Sequence, residues 1–144
     1  MNAMAPPRPT DVQSRRVRLI TGPAAAAEAR RQVRTAVGAW RVPVDPDVAV
    51  LLTSDLVTNA LRAAADGTVM LAVRCLRGQL RVEVHGIRPG AETGPGLMLV
   101  ATLSDGWGSC RTPEGSAVYF TLAFQPAARR QRRPRPGVNA ATPI

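Results

Sequence analysis

SDLVTNALRAA, residues 54–64, is the stretch on which the reading of this chain turns. It lies in a helical pattern that Asp45 opens as N-cap, with Pro46 at the first helical position. On a wheel of this helix, Val50, Leu52, Leu56, Val57, Ala60, Leu61, Ala63 and Ala64 fall on a broad apolar side. Asp47, Ser54, Asp55, Thr58, Asn59 and Arg62 fall on the other, with Leu51 the apolar exception among them. Ser, Asp, Thr and Asn each form helices roughly a few tenths of a kcal/mol less well than Ala. A solvated face is more usually built from long charged residues. Asp55 and Asn59 stand at i and i+4, so their side chains meet one turn apart. Their oxygens are hard donors suited to Mg²⁺ and water. Spacing alone leaves a solvated face and a metal site as equal alternatives.

The flanking segments supply an order of elements. RRVRLI (15–20) alternates Arg with apolar residues and is expected to be a strand. A helix from about Pro23 to Trp40 follows, with Val33, Val37 and Trp40 on one stripe. The second helix is expected to end near AADG, with Gly67 as its left-handed terminal residue. TVMLAVRCL and LRVEVHG, separated by RGQ, form a hairpin pattern. The Gly- and Pro-rich loop IRPGAETGPG leads to a third helix, LMLVATLSD, opening directly after Gly96. GWGSCRT is expected to be a short strand or turn and SAVYFTLAF the last strand. Mixed helices and hairpins predict an α+β two-layer sandwich: a mixed, mostly antiparallel sheet with helices on one face.

Composition bounds the function classes. A chain of 144 residues, 45% hydrophobic, is the size of one domain with one core. It has no long apolar run to span a membrane and no apolar leader, so a cytoplasmic location is expected. Cys75 and Cys110 are far apart and form no CxxC, which fits two buried thiols in a reducing compartment. His85 is the single histidine, which argues against a histidine-based metal site. The net charge is +9, and all 19 basic residues are Arg. Residues 1–18 contribute +3 and residues 126–144 contribute +5, so the centre is nearly neutral. The expected organisation is a disordered arm at 1–14, a domain at 15–125 and a disordered Arg- and Pro-rich tail at 126–144. No aromatic residues interleave with the tail arginines to stack bases, which favours a solvated tail over a nucleic-acid hold.

SDLVTNALRAA resembles the N-box of the GHKL superfamily of ATPases, and most closely that of the small bacterial anti-sigma-factor serine kinases, E-L-V-T-N-A followed by R-H-A. LRVEVHGIRPG sits where the first glycine box, V-E-V-x-D, is expected. GPGLMLVATLSDGWG is similar to G-x-G-L-x-L-V…L-x-D-x-W-G, and GSAVYFTL to the closing strand G-x-x-V-W-F-x-L. The four boxes come in order and cover about residues 15 to 124. The resemblance implies a histidine-kinase-like, Bergerat-type ATP-binding fold with ATP on the helical side of the sheet. It implies Asn59 as the Mg²⁺ ligand, Asp55 as the catalytic base, one methylene shorter than the family's Glu, and Gly94 and Gly96 as the phosphate cradle.

The departures from the family pattern are specific. The position of the adenine-binding Asp is Gly86, which has no side chain. Val82, Val84 and residue 86 are expected on the buried face of an extended strand, with Arg81, Glu83 and His85 on the other. The Arg-His pair is Arg62 and Ala63. Pro95 removes one donor from the glycine loop, and the lid segment is short. The resulting expectation is an ATP- and Mg²⁺-binding regulatory domain of the anti-sigma-factor kinase type, with a partly degenerate site. Expected partners are a sigma factor or antagonist protein, and a second copy as homodimer. The alternatives are a pseudo-enzyme of the same fold that binds only protein, and a nucleic-acid-binding protein acting through its arginine tails.

Overall fold

The computed structural model describes residues 12–89, 97–113 and 115–124. Its elements in chain order are β1 (Gln13–Ile20), α1 (Ala25–Ala39), α2 (Pro46–Leu61), β2 (Thr68–Leu76), β3 (Gln79–Ile87), α3 (Met98–Leu103), β4 (Gly106–Thr112) and β5 (Gly115–Ala123). The strands form one sheet in the order β1-β2-β3-β5-β4. Every pairing in it is antiparallel, so the mixed sheet expected from the sequence is instead purely antiparallel, within an α+β fold. The short connection Arg77–Gly78 imposes that pairing on β2 and β3. The expected tails fall largely on residues 1–11 and 125–144, outside the described residues, and β1 already begins at Gln13.

Strand alternation divides the sheet into two unlike faces. Val69, Leu71, Val73 and Cys75 of β2, Leu80, Val82 and Val84 of β3, and Val118, Phe120 and Leu122 of β5 are all buried. They pack with Ala29, Val33, Ala36 and Val37 of α1 and with Ala49, Leu52, Leu56, Val57 and Ala60 of α2 in one core. Each fully buried Leu or Phe in it contributes about 1.5–3 kcal/mol relative to exposure. The opposite face carries Arg16, Arg18, Arg74, Arg81, Glu83, His85 and Tyr119. Cys75 is buried and Cys110 half-buried, and neither is in a disulfide.

Asp45 caps α2 as expected, its carboxylate accepting from the Asp47 amide at 2.9 Å, with Pro46 at the first position. The other end differs. The helix stops at Leu61 with Arg62 as C-cap, and Gly67 (φ +87°) sits in the turn into β2 instead. Tertiary pairing ends the helix early. The Ala65 amide donates to the Gly86 carbonyl at 2.9 Å, the Arg88 amide donates to the Ala63 carbonyl at 2.9 Å, and Ala64 bridges Ile87. α1 closes on Arg41 in the left-handed region (φ 55°), where glycine is the usual residue.

Among the described residues no helix is long and apolar enough to cross a membrane.

Candidate functional site

The polar residues of α2 do different jobs. Ser54 accepts from Arg30 of α1 at 3.1 Å, and Asp47 pairs with Arg34 at 3.4 Å. Both are links between the two helices. Thr53 is buried and turns its hydroxyl back to the Ala49 carbonyl at 2.8 Å. Thr58 and Arg62 are exposed. Asp55 and Asn59 remain, and they are the two residues whose spacing drew attention in the sequence.

Asp55 is half-buried, and its Oδ2 accepts from the Val100 amide at 3.2 Å. Val100 lies in the first turn of α3, which has no side-chain cap of its own. A carboxylate at a helix N-terminus satisfies an orphan amide and is favoured by the helix dipole. Asp55 therefore fastens α3 to α2 across 45 residues of sequence. Asn59 behaves otherwise. It is 7% exposed, although the helical wheel puts it in the polar arc, and its side-chain amide makes no hydrogen bond to a described residue. An amide with no hydrogen bond to a described residue, one turn from a carboxylate, fits the role of a ligand oxygen.

Gly86 corrects the sequence expectation. It is not a plain extended position: φ is +98°, and the register of β3 against β5 slips between His85 and Ile87. The extra residue is a β-bulge, which resets the alternation. The buried phase passes from Val84 to Ile87 (both 0% exposed), skipping Gly86. A Cβ built at Gly86 would lie 3.3 Å from the Thr68 carbonyl oxygen. The position therefore lacks an adenine-binding carboxylate and resists receiving one. Gly94 and Gly96, assigned by resemblance to a phosphate cradle, lie with residues 90–96 outside the described residues.

The sequence reading gave His85 little weight, yet it belongs to the densest polar network of the described residues. Its Nε2 donates to Glu83 Oε1 at 2.8 Å. Glu83 Oε2 accepts from Arg81 Nε at 2.5 Å and from Arg74 at 3.0 Å. The Arg81 guanidinium lies 3.8 Å over the Tyr119 ring, a cation–π contact. Burial alone would push the Glu83 carboxyl up. The hydrogen bond from His85, the bond and charge of Arg81, and the bond from Arg74 outweigh it and bring the pKa down from 4.5 to about 2. The signal for this cluster was present in the alternation of RVEVH, which puts Arg81, Glu83 and His85 on one face.

Among the described residues no group of three or more His, Cys, Asp or Glu side chains could hold a metal ion. Asn59 and Asp55 would thus supply only part of a coordination shell. No known protein-family model matches the chain, and no curated protein matches it in sequence.

Proposed function

We propose that this chain is a regulatory domain that binds an adenine nucleotide with Mg²⁺ on the helical side of its sheet, in the manner of the anti-sigma-factor serine kinases it resembles. One observation carries the reading: Asn59, at the N-box position, stands one turn from Asp55 on α2, and its amide makes no hydrogen bond to a described residue. A bound cation would take that amide oxygen as a ligand in place of water. Mg²⁺ would neutralise phosphate charge when bound, and Asn59 would contribute one ligand to it. The base end of the site fits less well, because Gly86 offers no acceptor for the adenine amino group. The missing charge-assisted hydrogen bond implies an affinity about ten- to hundredfold below that of an intact pocket.

A second reading is favoured by the Asp55–Val100 bond. The carboxylate assigned as catalytic base already holds the α3 amide, so the domain acts there as a pseudo-enzyme that binds a protein partner such as a sigma factor or antagonist. Calorimetry with ATP and Mg²⁺ separates the two. Under the first reading the protein binds Mg²⁺-ATP and its melting temperature rises. Asn59→Ala then abolishes the Mg²⁺ dependence while the variant stays folded. Absence of any nucleotide binding in the presence of Mg²⁺ replaces the first reading with the second.

A further inference from the structure

The sheet face turned away from the helices is not flat. A hollow of about 270 Å³ is lined there by Arg16, Arg18, Asp66, Thr68, His85 and Gly86, among others. A neighbouring hollow of about 320 Å³ shares Arg16 and His85 with it and reaches Arg74 and Glu83. Arg16 and Arg18 stand two apart on β1, so both project to this face from positions about 7 Å apart. Strand pairing aligns them with the centre of the sheet: Arg16 opposite Ala72 and then Glu83, Arg18 opposite Met70 and then His85.

The arginines of the sheet differ in how they are satisfied. Arg15 bonds Gln32 and lies over Trp40 on the helical side. Arg74 and Arg81 are bonded to Glu83. Arg16 and Arg18 make no hydrogen bond or ion pair to a described residue, and both line the hollow. The acid at the rim, Asp66, is turned into its own loop, accepting from the Thr68 amide at 3.3 Å and its hydroxyl at 3.1 Å. Glu83 is held by three cationic or donor side chains. The two free guanidiniums therefore face a concave surface with no carboxylate committed to them.

We propose that this hollow is an anion site in which Arg16 and Arg18 clamp the phosphate group of a small phosphorylated ligand. Two planar forks match the several oxygens and the double charge of a phosphate better than a single carboxylate. The volume lies just below the usual range for ligand pockets, which restricts the occupant to a small molecule. No Phe, Tyr or Trp lines either hollow to stack the bases of a nucleic acid, and the one imidazole there, His85, is bonded to Glu83. The site is on the opposite side of the sheet from Asn59 and is independent of the nucleotide reading.

The test is calorimetry of the full chain with inorganic phosphate and pyrophosphate at near-physiological ionic strength. Pyrophosphate is expected to bind, and Arg16→Ala with Arg18→Ala to weaken it by about tenfold or more. Arg16→Lys with Arg18→Lys keeps the charge, removes the forks and should weaken binding to a smaller degree; it carries the test if the alanine pair fails to fold. Arg129→Ala with Arg130→Ala in the tail should leave pyrophosphate affinity unchanged. Undiminished binding in both strand variants overturns the proposal, as does loss of binding in the tail variant. A short DNA duplex that binds more tightly than pyrophosphate and is lost with the same strand substitutions also overturns it, in favour of a nucleic-acid surface.

Discussion

A single residue, Gly86, separates what the sequence pattern suggests from what the backbone permits. The pattern invites Gly86→Asp, to supply the carboxylate found at this place in the GHKL boxes that the sequence resembles. The bulge forbids it. At φ +98° an L-residue is strained wherever the side chain goes, by about 1–2 kcal/mol. The added Cβ also meets the Thr68 carbonyl oxygen at 3.3 Å, so strand β2 must give way as well. The Gly86 carbonyl accepts from Ala65, so distortion there is passed to the end of α2. Gly86→Asp is therefore expected to lower unfolding free energy by at least about 1–2 kcal/mol, without improving ATP affinity. Urea denaturation and calorimetry of the variant check both halves. A variant as stable as the parent would show that the bulge is not the constraint.

Among the elements, α3 depends most on others. It has six residues, no capping side chain of its own, and exposes Met98, Leu99 and Leu103. A helix so short is not stable alone. Val100 anchors it in the core (0% exposed), and Asp55 anchors it by charge. Asp55→Ala should cost about 1 kcal/mol, as loss of a helix cap does. The effect should be local: amide exchange at Val100 should accelerate far more than exchange in β2 or β3. Uniform acceleration across the sheet would mean that Asp55 supports the whole core rather than α3. This latch explains why the sequence was only half legible here. The i, i+4 spacing correctly put Asp55 and Asn59 side by side, but nothing local showed that Asp55 would reach an amide 45 residues away. Nor could a helical wheel show that Asn59, within the polar arc, would be buried. Long-range packing decided both.

For the whole molecule, the layers were readable from periodicity and the faces from alternation. RRVRLI, TVMLAVRCL and SAVYFTLAF each fell where a strand was expected. The bulge was not readable, because one extra residue is invisible in a pattern of period two. The alternation of RVEVH put Arg81, Glu83 and His85 on one face, but nothing local showed that Arg74, Tyr119 and Arg16 would join them from separate strands. Glu83 sits at its centre: Arg74 reaches it from β2, Arg81 and His85 flank it on β3, Tyr119 of β5 lies under Arg81, and Arg16 of β1 lines the hollow beside it. Its pKa is about 2 in the fold against an ordinary 4.5. A depressed carboxyl contributes stability that is present above pH 4.5 and lost as pH falls toward 2. Allowing for solvent screening, the loss should be about 2 kcal/mol. Glu83→Gln should flatten the stability curve across that window, because it removes the titrating group. It should also destabilise the protein at neutral pH, since Arg74 and Arg81 lose a shared counter-charge while Arg81 stays buried. Unfolding free energies of parent and variant, measured by urea denaturation from pH 7 down through the acid range, give the test. If the two curves run parallel from pH 4.5 to pH 2, another carboxylate governs acid unfolding and the open-face network does not hold the sheet together.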